Sequence, residues 1–379
     1  MLLVLAALSL ISWFWLLLLR GWFWLSGPTL PRGTTAARPL RVTAIVPARN
    51  EAEHIAATLR SLLAQQFPGD LRVVLVNDNS SDGTGDLARR ISAEDPRVSV
   101  VAGEPLPPGW TGKMWAVAQG LRHPEAAAAD YILLTDGDIV HEPHHVAVLV
   151  AKAEADGIAL VSEMVRLRCR TFAERATIPA FVFFFQMLYP FRWVGDRRHT
   201  TAAAAGGTML VSRHALDSIG GVDRIRAALI DDVALAREIK RAGYAIWLGH
   251  AEQAQSRRTY SGFGEVWSMI ARTAYVQLRC SPALLLGTCA GMLLLYAIPV
   301  IAAFAAIGPA RWIGIVAWTL IAIAFQPTLR RYRSSPLWGV ALPAIAVFYL
   351  AATCGSAVRS YRGRGGHWKD RTYPAQPPV

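Results

Sequence analysis

The 379-residue chain is 53% hydrophobic and carries a formal net charge of +12 at neutral pH. Its basic residues are concentrated beside apolar segments and in the C-terminal tail, a distribution that favours anionic lipid headgroups and argues against nucleic acid as a partner. The four cysteines show no paired spacing, which argues against a cysteine-based metal or redox site.

The N-terminal segment is apolar throughout residues 2–19, a length that can cross a bilayer, and no small-residue cleavage site follows it. This pattern predicts a retained membrane anchor over residues 1–25. Basic residues follow the anchor at Arg20, Arg32, Arg38 and Arg41. Because short cytoplasmic segments are biased toward Lys and Arg, we expect the next part of the chain to face the cytoplasm.

Short β-rich runs alternate with helical patterns over residues 39–260. The runs are 42–46, 73–76, 98–101, 131–134, 159–162 and 207–211. This alternation predicts an α/β fold with a mainly parallel sheet. Asn50 is predicted to cap the first helix, with Glu53 three residues later completing the cap.

Polar clusters follow three of these runs, at residues 47–51, 77–84 and 136–138. In open α/β sheets the ligand lies outside the carboxyl ends of the strands, so we expect the clusters to meet there. Asp136 and Asp138 form a D-x-D pair of the kind that suits Mg²⁺ or Mn²⁺, and such an ion also takes phosphate oxygens. A turn in which Asp caps a helix is the alternative interpretation.

Four further residues are candidates for binding or catalysis. Asp78 ends a strand and could bind a base or ribose, or could simply form an Asx-turn. Asp231 and Asp232 open a predicted helix as ordinary caps, or could include a general base beside a metal-bound diphosphate. Lys113 begins another predicted helix and could face phosphate. The spacing of a Walker loop is absent, and so is a G-x-G-x-x-G fingerprint, which argues against a dinucleotide-dependent oxidoreductase.

Aromatic and amphipathic segments follow the α/β region. Residues 178–194 are dense in aromatic side chains, which predicts a position at the lipid headgroups, with a buried core helix as the alternative. Residues 261–281 predict an amphipathic helix leading into the membrane, with Arg272 at the boundary.

A C-terminal membrane region is predicted over residues 282–356, followed by a basic tail at 357–379. The apolar runs in it are 283–307, 312–326 and 337–354, and the second is short for a full span. If all three cross, the basic tail emerges outside the cell, against the bias of basic residues toward the cytoplasm. A re-entrant or interfacial position of one run therefore stays open.

Six motifs taken together resemble the family-2 glycosyltransferases with the GT-A fold, over most of residues 40–280. They are PARNE (47–51), NDNSSDGT (77–84), GWTGK (109–113), TDGD (135–138), GGTMLVSRHALDSIGG (206–221) and IDD (230–232). Within the family the chain is similar to membrane-anchored lipid glycosyltransferases, including the ceramide and carotenoid enzymes, and most of all to the hopene-associated glycosyltransferases of bacteria.

The resemblance implies an inverting transfer from a nucleotide-diphosphate sugar to a membrane lipid, a hopanoid or similar isoprenoid. It implies Asp232 as general base, Arg272 as a second catalytic residue, and Asp138 with Asp136 at a Mg²⁺ or Mn²⁺ ion. The residues it implies for the nucleotide sugar are Pro47, Arg49, Glu51, Asp78, Lys113, Asp136 and Asp231. It also implies a multi-pass protein of the bacterial inner membrane with its α/β domain in the cytoplasm.

Two motifs depart from the family pattern. The Q-x-x-R-W motif of ceramide glucosyltransferases is reduced to residues 269–273, which keep only Arg272. The tail at 368–373 resembles a W-K-G-R-x-Y signature of related membrane enzymes, with Asp370 in place of glycine. The alternatives are therefore a polyprenyl-phosphate, ceramide-like or glycerolipid acceptor, or a non-catalytic membrane scaffold that retains a nucleotide fold.

Overall fold

The computed structural model describes residues 1–31, 38–363, 366–369 and 371–373. Arg32 and Asp370, which the sequence patterns include, lie outside the described residues. The strands are β1 (Arg41–Ala48), β2 (Asp70–Asn77), β3 (Val98–Ala102), β4 (Tyr131–Thr135), β5 (Ile139–His141), β6 (Leu160–Arg166), β7 (Thr208–Ser212), β8 (Ile246–Ser256), β9 (Gly366–Trp368) and β10 (Arg371–Tyr373).

The helices of the first half of the chain are α1 (Leu2–Leu19), α2 (Ile55–Leu63), α3 (Thr84–Glu94), α4 (Gly112–Leu121), α5 (Pro124–Ala127), α6 (His145–Asp156), α7 (Phe172–Leu188) and α8 (Phe191–Gly195). Those of the second half are α9 (Arg213–Ser218), α10 (Asp231–Arg241), α11 (Phe263–Gln277), α12 (Pro282–Met292), α13 (Ile298–Ala305), α14 (Pro309–Arg331) and α15 (Trp338–Tyr361). A π-helical turn, Leu293–Ala297, joins α12 to α13.

Eight strands form one mixed sheet in the order β3-β2-β1-β4-β7-β6-β8-β5. Strand β1 pairs in parallel with β2 and β4, β2 pairs in parallel with β3, and β6 pairs in parallel with β8. Strand β7 runs antiparallel to β4 and β6, and β5 runs antiparallel to β8. The predicted α/β fold with a mainly parallel sheet is confirmed.

Strand β1 shows why the sheet lies between two helical layers. Seven of its eight residues are buried, because both of its faces are covered. Val42 and Ala44 pack in the core that includes helix α2, whereas Ile45 packs on the opposite face with helix α4. A central parallel strand therefore needs the mainly apolar sequence found here, and the polar residues Arg49, Asn50 and Glu51 follow its carboxyl end.

The prediction that Asn50 caps the first helix is wrong. Helix α2 begins at Ile55 without a side-chain cap, and Asn50 has a backbone φ of +51°. The side chain of Asn50 instead accepts a hydrogen bond of 2.9 Å from the backbone N–H of Ser81, and Thr84 Oγ1 accepts one of 2.8 Å from the N–H of Glu51. The loop after β1 is thus tied to the loop after β2, because both loops end neighbouring parallel strands.

Among the described residues, four helical segments are long and apolar enough to cross a membrane: Leu2–Leu19, Pro282–Ala305, Pro309–Arg331 and Trp338–Tyr361. The apolar run 312–326 belongs to helix α14, whose 23 residues remove the apparent shortness of that segment. The aromatic segment lies mainly in α7, most of which is buried, so the structure favours the core-helix alternative. Phe183 of α7 packs its ring 5.4 Å from Phe23 and 5.2 Å from Phe325 of α14, so α7 contacts one of the long apolar helices.

Candidate active site

Lys113 lies at the centre of a carboxylate cluster at the carboxyl end of the sheet. Its ammonium group is 2.9 Å from Asp136 Oδ1, in the loop after β4, and 3.1 Å from Asp231 Oδ2, at the start of α10. Burial by itself lowers the pKa of Lys113, but these two carboxylates raise it above its ordinary value. Lys113, which the sequence predicts to face phosphate, therefore links the loop after β4 to the start of α10.

Asp232 is held by two backbone N–H groups. Gly206 donates to Oδ2 at 2.8 Å and Val233 donates to Oδ1 at 2.7 Å. Burial, together with the neighbouring charge of Asp231, raises the pKa of Asp232 to about 7, and Lys113 and the two N–H groups oppose that rise. A methyl group on Gly206 would lie 3.3 Å from Asp232 Oδ2, so the small residue permits this close approach. The result is a carboxylate that can take up a proton near neutral pH.

Asp138 occupies a different environment from its partner in the D-x-D pair. Ser256, at the end of β8, donates its hydroxyl hydrogen to Asp138 Oδ2 at 2.5 Å. Asp138 and Asp136 both raise the pKa of Arg258, although burial of that arginine opposes the rise. Because Lys113 engages Asp136, Asp138 is the member of the pair with a carboxylate better placed for a hard cation.

No group of three or more His, Cys, Asp or Glu residues that could hold a metal is found in the part of the chain that the structure describes.

A second cluster lies at the ends of β1 and β2. Arg49 donates to the carbonyl oxygen of Asp78 at 2.7 Å, and Asp78 is fully buried. Burial raises the pKa of Asp78 and also that of Glu51, while nearby cations oppose both shifts. Two of those cations come from the C-terminal hairpin: Arg371 Nη1 is 2.8 Å from Asp78 Oδ2, and Lys369 Nζ is 2.5 Å from Glu51 Oε1.

A buried polar chain supports the loop that carries Asp136. Glu163 contacts His145 Nε2 at 2.7 Å, the Nδ1 atoms of His145 and His141 are 2.8 Å apart, and His141 Nε2 is 3.1 Å from Thr135 Oγ1. Since Thr135 donates its own hydrogen to the carbonyl oxygen of Gly207, His141 must donate to Thr135 and accept from His145. These histidines therefore position the strand ends.

One cavity of about 1140 Å³ is lined both by the carboxylates and by residues of the long apolar helices. The predicted site residues that line it are Lys113, Asp136, Asp138, Asp231, Asp232 and Arg272. Its far wall is apolar and comes from α7, α12 and α15, with Phe181, Phe184, Phe185, Leu188, Met292 and Leu350. Pro47 lies beside the cavity and lines a small void together with Lys113, Asp136 and Asp231.

Asp78, Arg49 and Glu51 do not line the large cavity but lie behind the residues that do. Lys369 lines it and contacts Glu51, and Arg258 lines it with Nη2 3.9 Å from the same carboxylate. Sequence reasoning missed Arg258 and Ser256, because nothing around them forms a recognisable motif. The W-K-D-R segment of the tail could have indicated that Lys369 and Arg371 belong to the site, but it did not indicate that they contact Glu51 and Asp78.

A family model described as glycosyltransferase like family 2 matches residues 39–274, which is more than half of the chain. The chain belongs to this family. The predicted family membership is thereby confirmed, whereas the narrower resemblance to hopene-associated enzymes stays a prediction.

Two known proteins illustrate the relationship. The succinoglycan biosynthesis protein ExoA of Rhizobium meliloti is 30% identical over 210 residues, which are 54% of this chain and 59% of that protein. The 4,4'-diaponeurosporenoate glycosyltransferase of Staphylococcus aureus is 38% identical over 98 residues, which are 26% of this chain and 24% of that enzyme. The chain thus matches less than two thirds of the length of each of these family-2 relatives.

The fold of this family-2 chain is also found in a solved structure, the mannosyltransferase PcManGT from Pyrobaculum calidifontis in complex with GDP-Man and Mn²⁺. The alignment has a TM-score of 0.57 and 22% identity, and it covers 94% of this chain and 99% of that one. At this level of identity the likeness shows the shared fold, including helices beyond the sheet domain.

Proposed function

We propose that this protein transfers a sugar from a nucleotide-diphosphate sugar to a lipid of the membrane that holds it. The observation that carries this proposal is the continuous cavity, which has Asp232 and Asp138 at one end and an apolar wall at the other. Such a wall suits an acyl or isoprenoid chain, and a water-soluble acceptor would not need it.

Asp232 has the properties of the general base that an inverting transfer needs. The acceptor hydroxyl would give its proton to Asp232 while its oxygen forms a bond to the anomeric carbon, and the bond from that carbon to the diphosphate would break on the opposite face. Its two backbone N–H donors, from Gly206 and Val233, fix the carboxylate but leave further lone pairs for the proton. Arg272 lines the same cavity and would contact the acceptor or diphosphate.

A divalent cation, Mg²⁺ or Mn²⁺, fits the oxygen donors present. Asp138 would hold it, with Asp136 adjacent, and the remaining ligands would be water and diphosphate oxygens, as is usual for Mg²⁺ at phosphate sites. When bound, the ion would stabilise the negative charge that develops on the departing diphosphate. The Mn²⁺ in the PcManGT complex supports this proposal by shared fold alone.

The nucleoside would lie at the ends of β1 and β2. Neither carboxylate oxygen of Asp78 receives a well-aligned hydrogen bond from a described residue, so this group retains acceptor capacity for a base N–H or a ribose hydroxyl. Because Asp78 is fully buried beneath Arg371, admission of a nucleoside requires the hairpin to shift. Arg49, which supports the Asp78 backbone, would help on the same side together with Pro47, Glu51 and Asp231.

We expect the rate of sugar transfer to rise as the pH increases through about 7. The raised pKa of Asp232 means that the base is protonated, and so inactive, below this value, whereas an unperturbed Asp would lose its proton near pH ~4. Initial rates between pH 5.5 and 8.5, at saturating donor, would check this, with donor binding at each pH as the control. A rate that is flat over this range would contradict the assignment of the base.

The contacts of α15 support a membrane topology with three crossings. Arg331, at the end of α14, is 2.7 Å from Glu252 of β8, so α14 returns to the sheet domain. Helix α15 then starts with Trp338, whose ring lies 5.4 Å from that of Phe172, and ends where the Tyr361 hydroxyl is 2.9 Å from that of Tyr275. Both of its ends therefore contact elements adjoining the sheet domain, and α15 would lie along the membrane surface with α11.

In this arrangement α1, Pro282–Ala305 and α14 cross the bilayer, and the basic tail stays on the same side as the sheet domain, in agreement with the bias of Lys and Arg toward the cytoplasm. We expect a fluorescent protein fused to the C-terminus to fold and fluoresce in the cytoplasm. We expect an alkaline phosphatase fused at the same point to be inactive. An active phosphatase fusion would mean that α15 crosses the membrane.

An isoprenoid lipid such as a hopanoid is the acceptor class that we propose. The local likeness to a diaponeurosporenoate glycosyltransferase supports it, since that relative is named for an isoprenoid-derived substrate. The test compares lipid extracts of cells with and without the gene, and we expect one glycosylated lipid to vanish. Wild-type protein and Lys152→Ala should restore it, because Lys152 pairs with Asp156 on α6, outside the cavity, whereas Asp232→Asn should not.

The identity of the missing lipid distinguishes the alternatives. Loss of a polyprenyl-phosphate sugar, a glycosylated ceramide-like lipid or a glycosylated glycerolipid would replace the hopanoid proposal with the corresponding acceptor. Unchanged lipid extracts, together with no hydrolysis or transfer of a radiolabelled nucleotide sugar by the purified protein, would support the non-catalytic scaffold.

A further inference from the structure

The C-terminal hairpin lies against the ends of β1 and β2. Strand β9 pairs with β10 in antiparallel register, with Arg371 opposite Trp368, and the turn between them carries Lys369 at a backbone φ of +54°. Helix α15 delivers the hairpin to this place because its last turns pack beside α11: the backbone N–H of Tyr275 donates to Ser356 Oγ at 3.0 Å. A side chain near the C-terminus is thereby brought into a cavity formed mainly by the middle of the chain.

Lys369 makes two polar contacts with the loop after β1. Its ammonium is 2.5 Å from Glu51 Oε1, and it donates to the carbonyl oxygen of Asn50 at 3.0 Å, although residues 369 and 50 are 319 positions apart in the sequence. An ammonium has three hydrogens, and these described partners use two of them. Because Lys369 also lines the large cavity, the third hydrogen is available to a ligand there.

The charge balance of the cavity indicates what that ligand is. Lys113 pairs with two carboxylates, those of Asp136 and Asp231, so it contributes little positive charge to an incoming anion, whereas Lys369 pairs with the single carboxylate of Glu51. Among the described residues that line the cavity, the other cations are Arg258, Arg272 and Lys369. Of these three, Lys369 lies 2.5 Å from Glu51 and also bonds Asn50 in the loop between β1 and α2, whereas Arg258 lies 3.9 Å from Glu51. This loop is at the strand ends where a nucleotide is expected in an open α/β sheet.

We propose that Lys369 binds the diphosphate of the donor, so that the donor site is completed by the C-terminal tail. This inference rests on the proposed function, since it requires a nucleotide-diphosphate donor. Arg371 anchors the hairpin through its ion pair with Asp78, and it moves with the hairpin when a nucleoside is admitted. Lysine carries a compact positive charge on a flexible side chain, which suits the binding of a diphosphate. The hairpin can bring this charge to the diphosphate after the donor has entered.

The test measures binding of UDP and GDP, with Mn²⁺, to the full-length protein in detergent or nanodiscs by calorimetry. For whichever nucleotide binds more tightly, Lys369→Ala should weaken binding by roughly tenfold to a hundredfold, the loss expected for a charge-assisted hydrogen bond. The affinity for the corresponding nucleoside monophosphate, which lacks the second phosphate, should fall less on the same Lys369→Ala substitution. Lys369→Arg keeps the charge and should recover most of the binding.

Lys152→Ala is the matched control, because Lys152 bonds Asp156 at 2.6 Å on α6 and does not line the cavity. Thermal unfolding of each variant shows whether the fold is retained. If Lys369→Ala binds the diphosphate as well as the wild type, or more tightly because an occluding side chain has gone, the inference is overturned while the proposed function stands. If the wild type binds neither nucleotide, the proposed function fails first and this inference fails with it.

Discussion

Replacing Asp232 with asparagine is expected to lower the turnover of sugar transfer by about two to four orders of magnitude. Asparagine has nearly the same shape but cannot accept the proton of an acceptor hydroxyl, so the chemical step loses about 3–5 kcal/mol of transition-state stabilisation. Nucleotide binding should be retained, since the proposed nucleoside and metal contacts lie on other residues. Rates with saturating donor, alongside calorimetric nucleotide binding, separate the two effects.

Asp86→Asn is the matched control for this substitution. Asp86 is exposed and pairs with Arg89 one turn along α3, so the same chemical change should leave turnover unaltered there. The pH dependence adds a second readout, because the rise in rate through about pH 7 should disappear in whatever activity Asp232→Asn retains. Turnover by Asp232→Asn at the wild-type rate would remove Asp232 from the mechanism.

Asp138→Ala is expected to abolish the dependence of donor binding on a divalent cation. In the wild type, Mg²⁺ or Mn²⁺ should tighten nucleoside diphosphate binding by roughly tenfold or more, which is about 1.4 kcal/mol or more. Without the Asp138 carboxylate the ion loses its principal protein ligand, and the affinity with metal should fall to the affinity measured in EDTA. Calorimetric titrations of UDP and GDP with and without metal provide the measurement.

Two variants control this second experiment. Ser256→Ala removes the hydroxyl that donates to Asp138 but keeps the carboxylate, so it should weaken the metal effect without eliminating it. Asp217→Ala removes an exposed carboxylate that pairs with Arg213, and it should leave the metal effect intact. If Mn²⁺ still tightens nucleoside diphosphate binding to Asp138→Ala, the ion is held by residues other than Asp138.

The strands and the long apolar helices could be predicted because each depends on a local pattern. Strand β1, for example, is apolar on both faces and ends at PARNE, and this pattern alone places polar residues at the carboxyl end of a buried strand. Helix α14 was harder to delimit, since its last turns carry Arg330 and Arg331 beyond the apolar run. The failed Asn50 cap shows the limit of local reasoning, because the side chain met a better partner in the loop after the neighbouring strand.

The candidate site was predicted in part for the same reason. A motif at a strand end indicated Asp136 and Asp138, and a motif at a helix start indicated Asp232; the sheet brings its strand ends to one edge. The sequence did not indicate that Lys113 would bridge two carboxylates, or that Arg258 would lie 3.9 Å from Glu51. These pairings depend on side chains that meet only after the strands are in order.

By itself, the sequence determined an α/β domain between apolar segments, with acidic motifs of a family-2 glycosyltransferase at its strand ends. Only the tertiary structure decided that α15 lies beside α11, that one cavity is lined by both Asp232 and the long apolar helices, and that Lys369 contacts Glu51. The physical reason is range: periodicity and turn chemistry act over a few residues, whereas these contacts join positions up to 319 residues apart and exist only once the helices have packed.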